Sequence, residues 1–336
     1  MPRTWSAFGD VRRMPSEYEI VTHDMNWTTR KGRNAALEAN SSAPENLWYL
    51  TYRDKSPLSI EDWNTFRDPD QLTYRRYVTM QDEQEDIIAS VLDEADEAGL
   101  VESFSQGWTD TLATVLAPSR FAGHALQMCS SYLAQIAPSS YIENCAAFGA
   151  ADALRRVSFV AYRTRELQRA FPGHGFGENE RQIWENDPQW QPTRKALELA
   201  LTTYDWGESF TAVNLVLRPT LDDVLIRQLG EVARRNGDTG TWLALANLTL
   251  DVERSARWSA ALAKHAISQR SQNAGVLNRW IKRWAPRADA AATGLAELLV
   301  ASPDNGVDAG EVASAASQAR ERVLEQAGIV TGAVTH

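Results

Sequence analysis

The sequence has only two cysteines, Cys129 and Cys145. That is too few for a disulfide framework, and no Cys-x-x-Cys pair suggests structural zinc. Basic residues are in deficit: 34 Lys and Arg face 44 Asp and Glu, a net charge of −10. This excludes a general nucleic-acid binder, which needs a basic surface to neutralise phosphates. No apolar run approaches the ~20 residues of a membrane span. The first twenty residues lack the apolar core of a signal peptide. A reduced, cytoplasmic protein that engages neither nucleic acid nor membrane is the expectation. Aromatics, by contrast, are abundant, with 12 Trp, 9 Tyr and 9 Phe. Such a chain does not stay disordered, and it implies extensive aromatic packing or a large interface.

Strand-like alternation of convincing length is absent, as is any repeat of 20–50 residues. Helical patterns fill the chain from about Gln81. QDEQEDIIASVLDEADEAGL carries an amphipathic stripe ending at Gly99. GWTDTLATVLAP is a helix stopped by Pro118, and SRFAGHALQMCSSYLAQIAP is apolar nearly all round. Residues 139–171 contain no proline or stop signal and form one long helix. Pro219 kinks or starts a further helix. Residues 239–268 form another long one, Pro286 interrupts the next, and Asp308 caps the last. Before Gln81 the chain is different: Pro2, Pro15, Pro44, Pro57 and Pro69 punctuate a segment rich in Trp and Tyr. A solvated linker would not carry these aromatics. The segment packs either on a partner chain or on its own bundle, and composition leaves both open. The expected organisation is an extended arm over residues 1–80, an all-α bundle over 81–300, and a C-terminal helix and tail over 301–336.

Signatures of chemistry are also scarce. There is no His-Glu-x-x-His, P-loop or Gly-x-Ser-x-Gly. The Gly-His-Gly-Phe-Gly around His174 follows no strand, so it does not read as a phosphate loop. Of five histidines only His124 and His265 lie in apolar helices. Di-iron carboxylate bundles supply a Glu from each of two helices and a Glu-x-x-His from each of two others, and this sequence has no Glu-x-x-His. Its two longest helices carry arginines at their centres instead, in FGAADALRRVSF and LDVERSARWSAAL.

Those stretches resemble the iron-binding helices of the large subunit of bacterial multicomponent monooxygenases, which run Asp-Glu-Leu-Arg-His and Asp-Glu-Ser-Arg-His. Laid over them, the ligand positions fall on Ala153 and Arg156 and on Arg254 and Arg257; the two remaining glutamates fall close to Gly123 and Thr220. Arginine is always cationic and repels iron.

The whole chain is more similar still to the β subunit of those hydroxylases, of the toluene, alkene and isoprene monooxygenase type. The residues that carry this are RTWS (3–6), PSEYEIV (15–21), NLWY (46–49), FRDPDQLTYRRY (66–77), MQDEQE (80–85), AYRTREL (161–167), DWGESF (205–210) and RWSAALAKHA (257–266). The resemblance implies a ferritin-like, ribonucleotide-reductase-like bundle without catalytic residues or a metal site of its own. It implies α and γ partners in an (αβγ)₂ hydroxylase, with the di-iron centre in α. It further implies an effector protein, and electrons from NADH through a reductase and a Rieske ferredoxin. The substrate would be an aromatic or alkene hydrocarbon of the toluene, isoprene or propene class.

Two other functions remain in view, a di-iron enzyme acting alone and a stand-alone helical ligand-binding protein. Trp48, Tyr49, Tyr52, Phe66, Tyr74 and Tyr77 are the expected contacts with α. Arg155, Arg156, Arg254 and Arg257 lie mid-helix, where a guanidinium must be paired. Asp152, Asp251, Glu253, Asp222 and Asp223 are the candidate partners. At least one of Arg156 and Arg257 is expected to be buried against a carboxylate of another helix.

Overall fold

The computed structural model describes residues 14–23, 44–302 and 305–329. Trp5, Trp27, His336 and the RTWS motif lie outside them. Every regular element among the described residues is helical. In chain order the α-helices are α1 (Glu17–Thr22), α2 (Pro44–Tyr49), α3 (Tyr74–Glu97), α4 (Gln106–Thr111), α5 (Ser119–Ile136), α6 (Ser140–Ala170), α7 (Glu180–Asn186), α8 (Gln191–Leu201), α9 (Trp206–Phe210), α10 (Arg218–Asp222), α11 (Leu229–Arg235), α12 (Thr239–Gln269), α13 (Gln272–Val300) and α14 (Ala309–Gln326).

Helix α3 begins at Tyr74, seven residues before the expected start. The Thr73 hydroxyl accepts from the amide of Arg76 and caps it. Its buried stripe runs Tyr77, Gln81, Gln84, Ile88, Leu92, Ala95. Two glutamines occupy inward positions, which breaks the apolar period over the first turns. Helices α5 and α6 are joined by a three-residue turn and pack along each other. Gly123 permits this approach: a Cβ there would lie 3.0 Å from Val157 Cγ2.

Helices α9, α10 and α11 form one rod over residues 206–235, with π-helical turns at Thr211–Leu217 and Asp223–Gln228. Every residue from 209 to 226 is buried, so the rod is the centre of the bundle. Pro219 does not break it. The wider π turn just before the proline accommodates its missing N–H and its ring. Pro286 likewise leaves α13 continuous. Its ring lies on the exposed side, where water satisfies the carbonyl left without a donor.

The described part of the arm is closed against its own bundle. Leu58, Trp63 and Phe66 are buried in the main core, and Trp63 meets Trp206 edge-on at 4.8 Å. Ser56 donates to Asp205, the N-cap of α9, at 2.9 Å. Gly207 is required at this junction, because a Cβ would lie 2.7 Å from Leu58 Cβ. Arg67 pairs with Glu19 of α1 at 3.1 Å and stacks over Tyr141 of α6. His265 contacts Thr65 at 3.0 Å. The motifs PSEYEIV, FRDPDQLTYRRY, DWGESF and RWSAALAKHA are thus residues of one joint between arm and bundle.

Candidate functional site

The centre of the bundle is an ionic lattice built by α3, α6, α10 and α12. Arg254 of α12 donates from Nη2 to Asp152 of α6 at 2.6 Å and to Asp251 at 2.8 Å. Asp152 Oδ1 also accepts from the Tyr77 hydroxyl at 2.7 Å and from Gln81 Nε2 at 2.9 Å. The same Gln81 nitrogen reaches Asp251 at 3.0 Å. Arg155 donates to Asp251 at 2.7 Å, to Asn247 at 2.7 Å and to Gln84 at 3.1 Å, and its Nε pairs with Glu85 at the rim. Gln81 and Gln84 are therefore inward-facing because they serve this lattice. One layer further in, Arg156 bridges from α6 to Asp222 of α10 at 2.7 Å. This is the interhelical pair that burial demands of a guanidinium.

Position sets the electrostatics. Burial, and then repulsion from Asp251, pushes the Asp152 carboxyl up to about 6 against the pull of Arg254. Burial alone would lower Arg254, but Asp152 and Asp251 more than reverse it and hold it raised. Arg156 is lowered by burial, which Asp222 only partly offsets. Burial also raises the Tyr77 phenol, so it stays a hydrogen-bond donor to Asp152.

The six positions that the resemblance assigns to metal ligands are distributed unequally. Gly123, Ala153 and Arg156 line one cavity of about 30 Å³, together with Asp152, Arg218, Asp222 and Asp251. Arg254 sits behind it, tied to Asp152 and Asp251. Thr220 turns its hydroxyl to the carbonyl of Val216 in its own helix, at 2.9 Å. Arg257 is not in the centre. It is half-exposed at the surface and pairs with Asp70 of the arm at 2.8 Å, where water as well as the carboxylate solvates its charge. Glu253 is also at the surface, paired with Arg227. Asp223 is buried but takes its bond from Gln228.

These residues do not fit an iron pair. Asp152 and Asp251 are engaged by guanidinium groups and Asp222 by Arg156, and among the described residues no histidine reaches the centre: His124 is exposed and His174 lies in a surface turn. No group of three or more His, Cys, Asp or Glu is placed to hold a metal among the described residues. Cys129 and Cys145 are buried, and burial pushes the Cys129 thiol up to about 12. What the arrangement does chemically is neutralise buried charge.

The expected contact residues also divide. Phe66 and Tyr77 belong to the chain's own interior: one fills the core, and the other holds Asp152. An aromatic in a proline-rich arm buries equally well on either partner, so composition did not separate the two. Tyr74, at the start of α3, is 74% exposed. Trp48, Tyr49 and Tyr52 lie half-open in an aromatic patch. Trp48 donates to the Tyr132 hydroxyl at 3.0 Å, and its ring lies 4.6 Å from Tyr52 and 4.8 Å from Tyr204. A cleft of about 350 Å³ is lined by Pro44, Trp48, Tyr49, Tyr132, Gln135 and Ile136.

Three buried arginines went unread in the sequence: Arg163, Arg218 and Arg320 of α14, the last paired with Asp289 of α13 at 2.6 Å. Arg163 is sealed at one end of the bundle, bonded to Asp238 at 3.0 Å, Thr241 at 3.1 Å and Glu166 at 3.1 Å. Arg218 is the single cation in the buried run 209–226, and that isolation was its available signal. It bonds to Ser130 at 2.9 Å and, more weakly, to Ser255 and the Gly149 carbonyl at 3.4 Å.

Residues 48–270 match the model of the methane/phenol/alkene hydroxylase family. The chain is 41% identical over 297 residues to the hydroxylase component subunit beta of the toluene-4-monooxygenase system of Ectopseudomonas mendocina, covering 88% of this chain and 90% of that protein. It is 27% identical over 260 residues to the small subunit of the propane 2-monooxygenase hydroxylase component of a Gordonia strain, covering 73% and 68%. A solved structure of toluene 4-monooxygenase with toluene in its resting active site matches with TM-score 0.82 at 41% identity, covering 88% of this chain and 97% of that one. Phenol hydroxylase from Pseudomonas sp. OX1 shares the fold, with TM-score 0.77 at 19% identity over 96% of this chain and 93% of that one. The chain has the ferritin-like helical fold and belongs to the methane/phenol/alkene hydroxylase family.

Proposed function

We propose that this chain is the structural, non-catalytic β subunit of a multicomponent monooxygenase hydroxylase. One observation carries the reading: where the resemblance places iron ligands, the bundle centre holds arginine–carboxylate pairs that already balance one another's charge. The di-iron centre that activates O₂ belongs to the partner α subunit, and the β bundle gives α a rigid surface in an (αβγ)₂ assembly. The 41% identity to a toluene-4-monooxygenase hydroxylase subunit supports a hydrocarbon of the toluene, isoprene or propene class as substrate. By the same resemblance, electrons come from NADH through a reductase and a Rieske ferredoxin, and an effector protein docks on the hydroxylase. The half-exposed Trp48, Tyr49 and Tyr52 and the open Tyr74 are the residues of this list with area to offer another chain.

Co-expression with the α and γ subunits tests the reading. We expect a single complex in which iron measured after subunit separation follows α alone. Stoichiometric iron in the β fraction, or an isolated β that is a stable monomer indifferent to α, would overturn it. Removing residues 1–78 does not serve as a test of the arm. That deletion also strips Leu58, Trp63, Phe66 and Tyr77 from the bundle's own interior, so loss of assembly would follow from either placement of the arm.

A further inference from the structure

Helices α5 and α6 carry almost no charge on their outer side. From Phe121 to Ile142 the sequence has no Asp, Glu, Lys or Arg, and from Asn144 to Tyr162 it has only Asp152, Arg155 and Arg156, all drawn into the ionic lattice. The residues turned outward are Ala147, Ala151, Leu154, Ser158 and Tyr162 on α6, and His124, Met128 and Ser131 on α5. Leu154 is 51% exposed and Tyr162 54%. At the ends, Arg120 is taken by Glu180, and Tyr162 meets the acids Asp93, Asp96 and Glu166.

Helix α3, which runs beside α6, has the opposite character. Tyr77 stacks on Phe148 at 4.3 Å and Glu85 pairs with Arg155, yet every acidic residue of α3 from Asp82 to Glu97 is exposed. That is how a helix of this acidic chain meets water. Depletion of charge is instead the mark of the core of a protein interface. The extent of the neutral face agrees. Helix α5 has 18 residues, a length of about 27 Å, and two helices side by side are about 20 Å wide, so their outer face covers roughly 500 Å². At its far end Gln135 of α5 also lines the cleft of Trp48 and Tyr49. The neutral face thus runs on into the aromatic patch, and the two together approach the ~800 Å² that one partner contributes to a stable interface.

Resting on the β-subunit function proposed above, we propose that the outer face of α5 and α6 is where the α subunit seats, through an uncharged helical face of its own. A charge brought against this face would lose its water and find no counter-charge. Ala147, Ala151 and Ser158 have short side chains and let a partner helix come close, while Met128, Leu154 and Tyr162 stand out to fit between its side chains. Gly123, packed on Val157, holds α5 and α6 together as a rigid platform, so little order has to be gained on binding. A neutral face of this size suits a permanent partner, and α is the permanent partner of a β subunit. A protein that docks and leaves is steered by charge, which this face lacks.

Thiol labelling of the assembled hydroxylase is the test. The chain's own Cys129 and Cys145 are buried. Ala151→Cys and Ser158→Cys each add one exposed thiol, and Ala290→Cys, on the exposed side of α13, is the reference. In the complex with α and γ, a maleimide is expected to modify the two α6 positions at least tenfold more slowly than the reference, with the three rates equal after denaturation. Leu154→Asp is expected to cut recovery of α in a pull-down at least tenfold. Equal labelling of all three variants in the intact complex, or full recovery of α by Leu154→Asp, overturns the proposal and leaves the β-subunit function standing. Loss of γ, or of the second half of the assembly, with α retained also overturns it and gives the face to that other chain. A natural chain that recovers no α removes the β-subunit function itself, and the proposal with it. If Leu154→Asp does not fold, Ser158→Glu, a change at a smaller exposed side chain, takes its place in the pull-down.

Discussion

Replacing Arg254 by leucine removes the cation that holds two carboxylates together, while Arg257→Leu, three residues along the same helix, provides the control. Arg254 is buried, with bonds of 2.6 Å to Asp152 and 2.8 Å to Asp251. Without it, Asp251 keeps Arg155 at 2.7 Å, but Asp152 keeps only the neutral donors Tyr77 and Gln81. Stranding a buried charge in this way costs ~3–5 kcal/mol. Unfolding a 336-residue chain carries an entropy of roughly 0.7 kcal/mol/K at about 2.1 cal/mol/K per residue, so the melting temperature should fall by ~4–7 °C at pH 8. The loss should also depend on pH. The stranded Asp152 takes up a proton in the folded variant well above the value of about 6 that it has in the natural chain. Lowering the pH from 8 to 6 therefore recovers up to ~1.36 kcal/mol per unit, at most about 2.7 kcal/mol of the loss, and the gap stops narrowing near pH 6, where the natural Asp152 protonates too. Arg257 is half-exposed and bonded to a partly exposed Asp70; its removal should cost no more than ~1 kcal/mol, a shift of about 1 °C. The assay is thermal unfolding of the full chain in its native assembly across pH 6–8. An Arg254→Leu loss as small as that of Arg257→Leu, or one that does not change with pH, would refute the reasoning.

Asp152→Asn tests the same carboxyl from the other side. Unfolded, it ionises near 3.8; folded, it holds its proton to about 6, so unfolding between these values releases a proton and stability gains as the pH falls through that window. The asparagine variant should lack this part of the pH dependence, and equal slopes between pH 4 and 6 for both proteins would exclude it. Gly294→Ala should destabilise by ~1–3 kcal/mol through overpacking, because the new Cβ would lie 2.2 Å from the Gln189 carbonyl oxygen; an unchanged melting temperature would mean that this backbone contact yields freely. Tyr74→Ala should leave the melting temperature of the isolated chain within about 1 °C, since the ring is 74% exposed, yet reduce recovery of the α subunit in a pull-down. Full recovery would remove Tyr74 from the contact surface.

The long helices were legible because their residues satisfy local rules all along their length. Helix α6 has no proline across 31 residues, and Asp308 caps α14 by accepting from the amide of Glu311, as its position before an amphipathic run implies. The failures share a physical origin in polar groups that long-range partners satisfy. Gln81 and Gln84 broke the apolar period of α3 because they face Asp152, Asp251 and Arg155 across the bundle, so seven residues of helix were assigned to the arm. Arg218 followed an apolar run and preceded a proline, and local rules make such a residue a helix start. Only the packing of α5, α6 and α12 around it gives it Ser130, Gly149 and Ser255 as acceptors. Arg254 and Arg257 were indistinguishable by the same rules, being three residues apart on one helix and equally surrounded by apolar neighbours in sequence. What separates them is the arm: Asp70, 187 residues earlier in the chain, draws Arg257 to the surface, whereas α3 closes over Arg254. The buried charges of this bundle are thus specified by which element covers each one, and that information lies in contacts between distant segments. Local periodicity identifies the helices that carry the arginines, while the fold decides which of those arginines need a counter-ion.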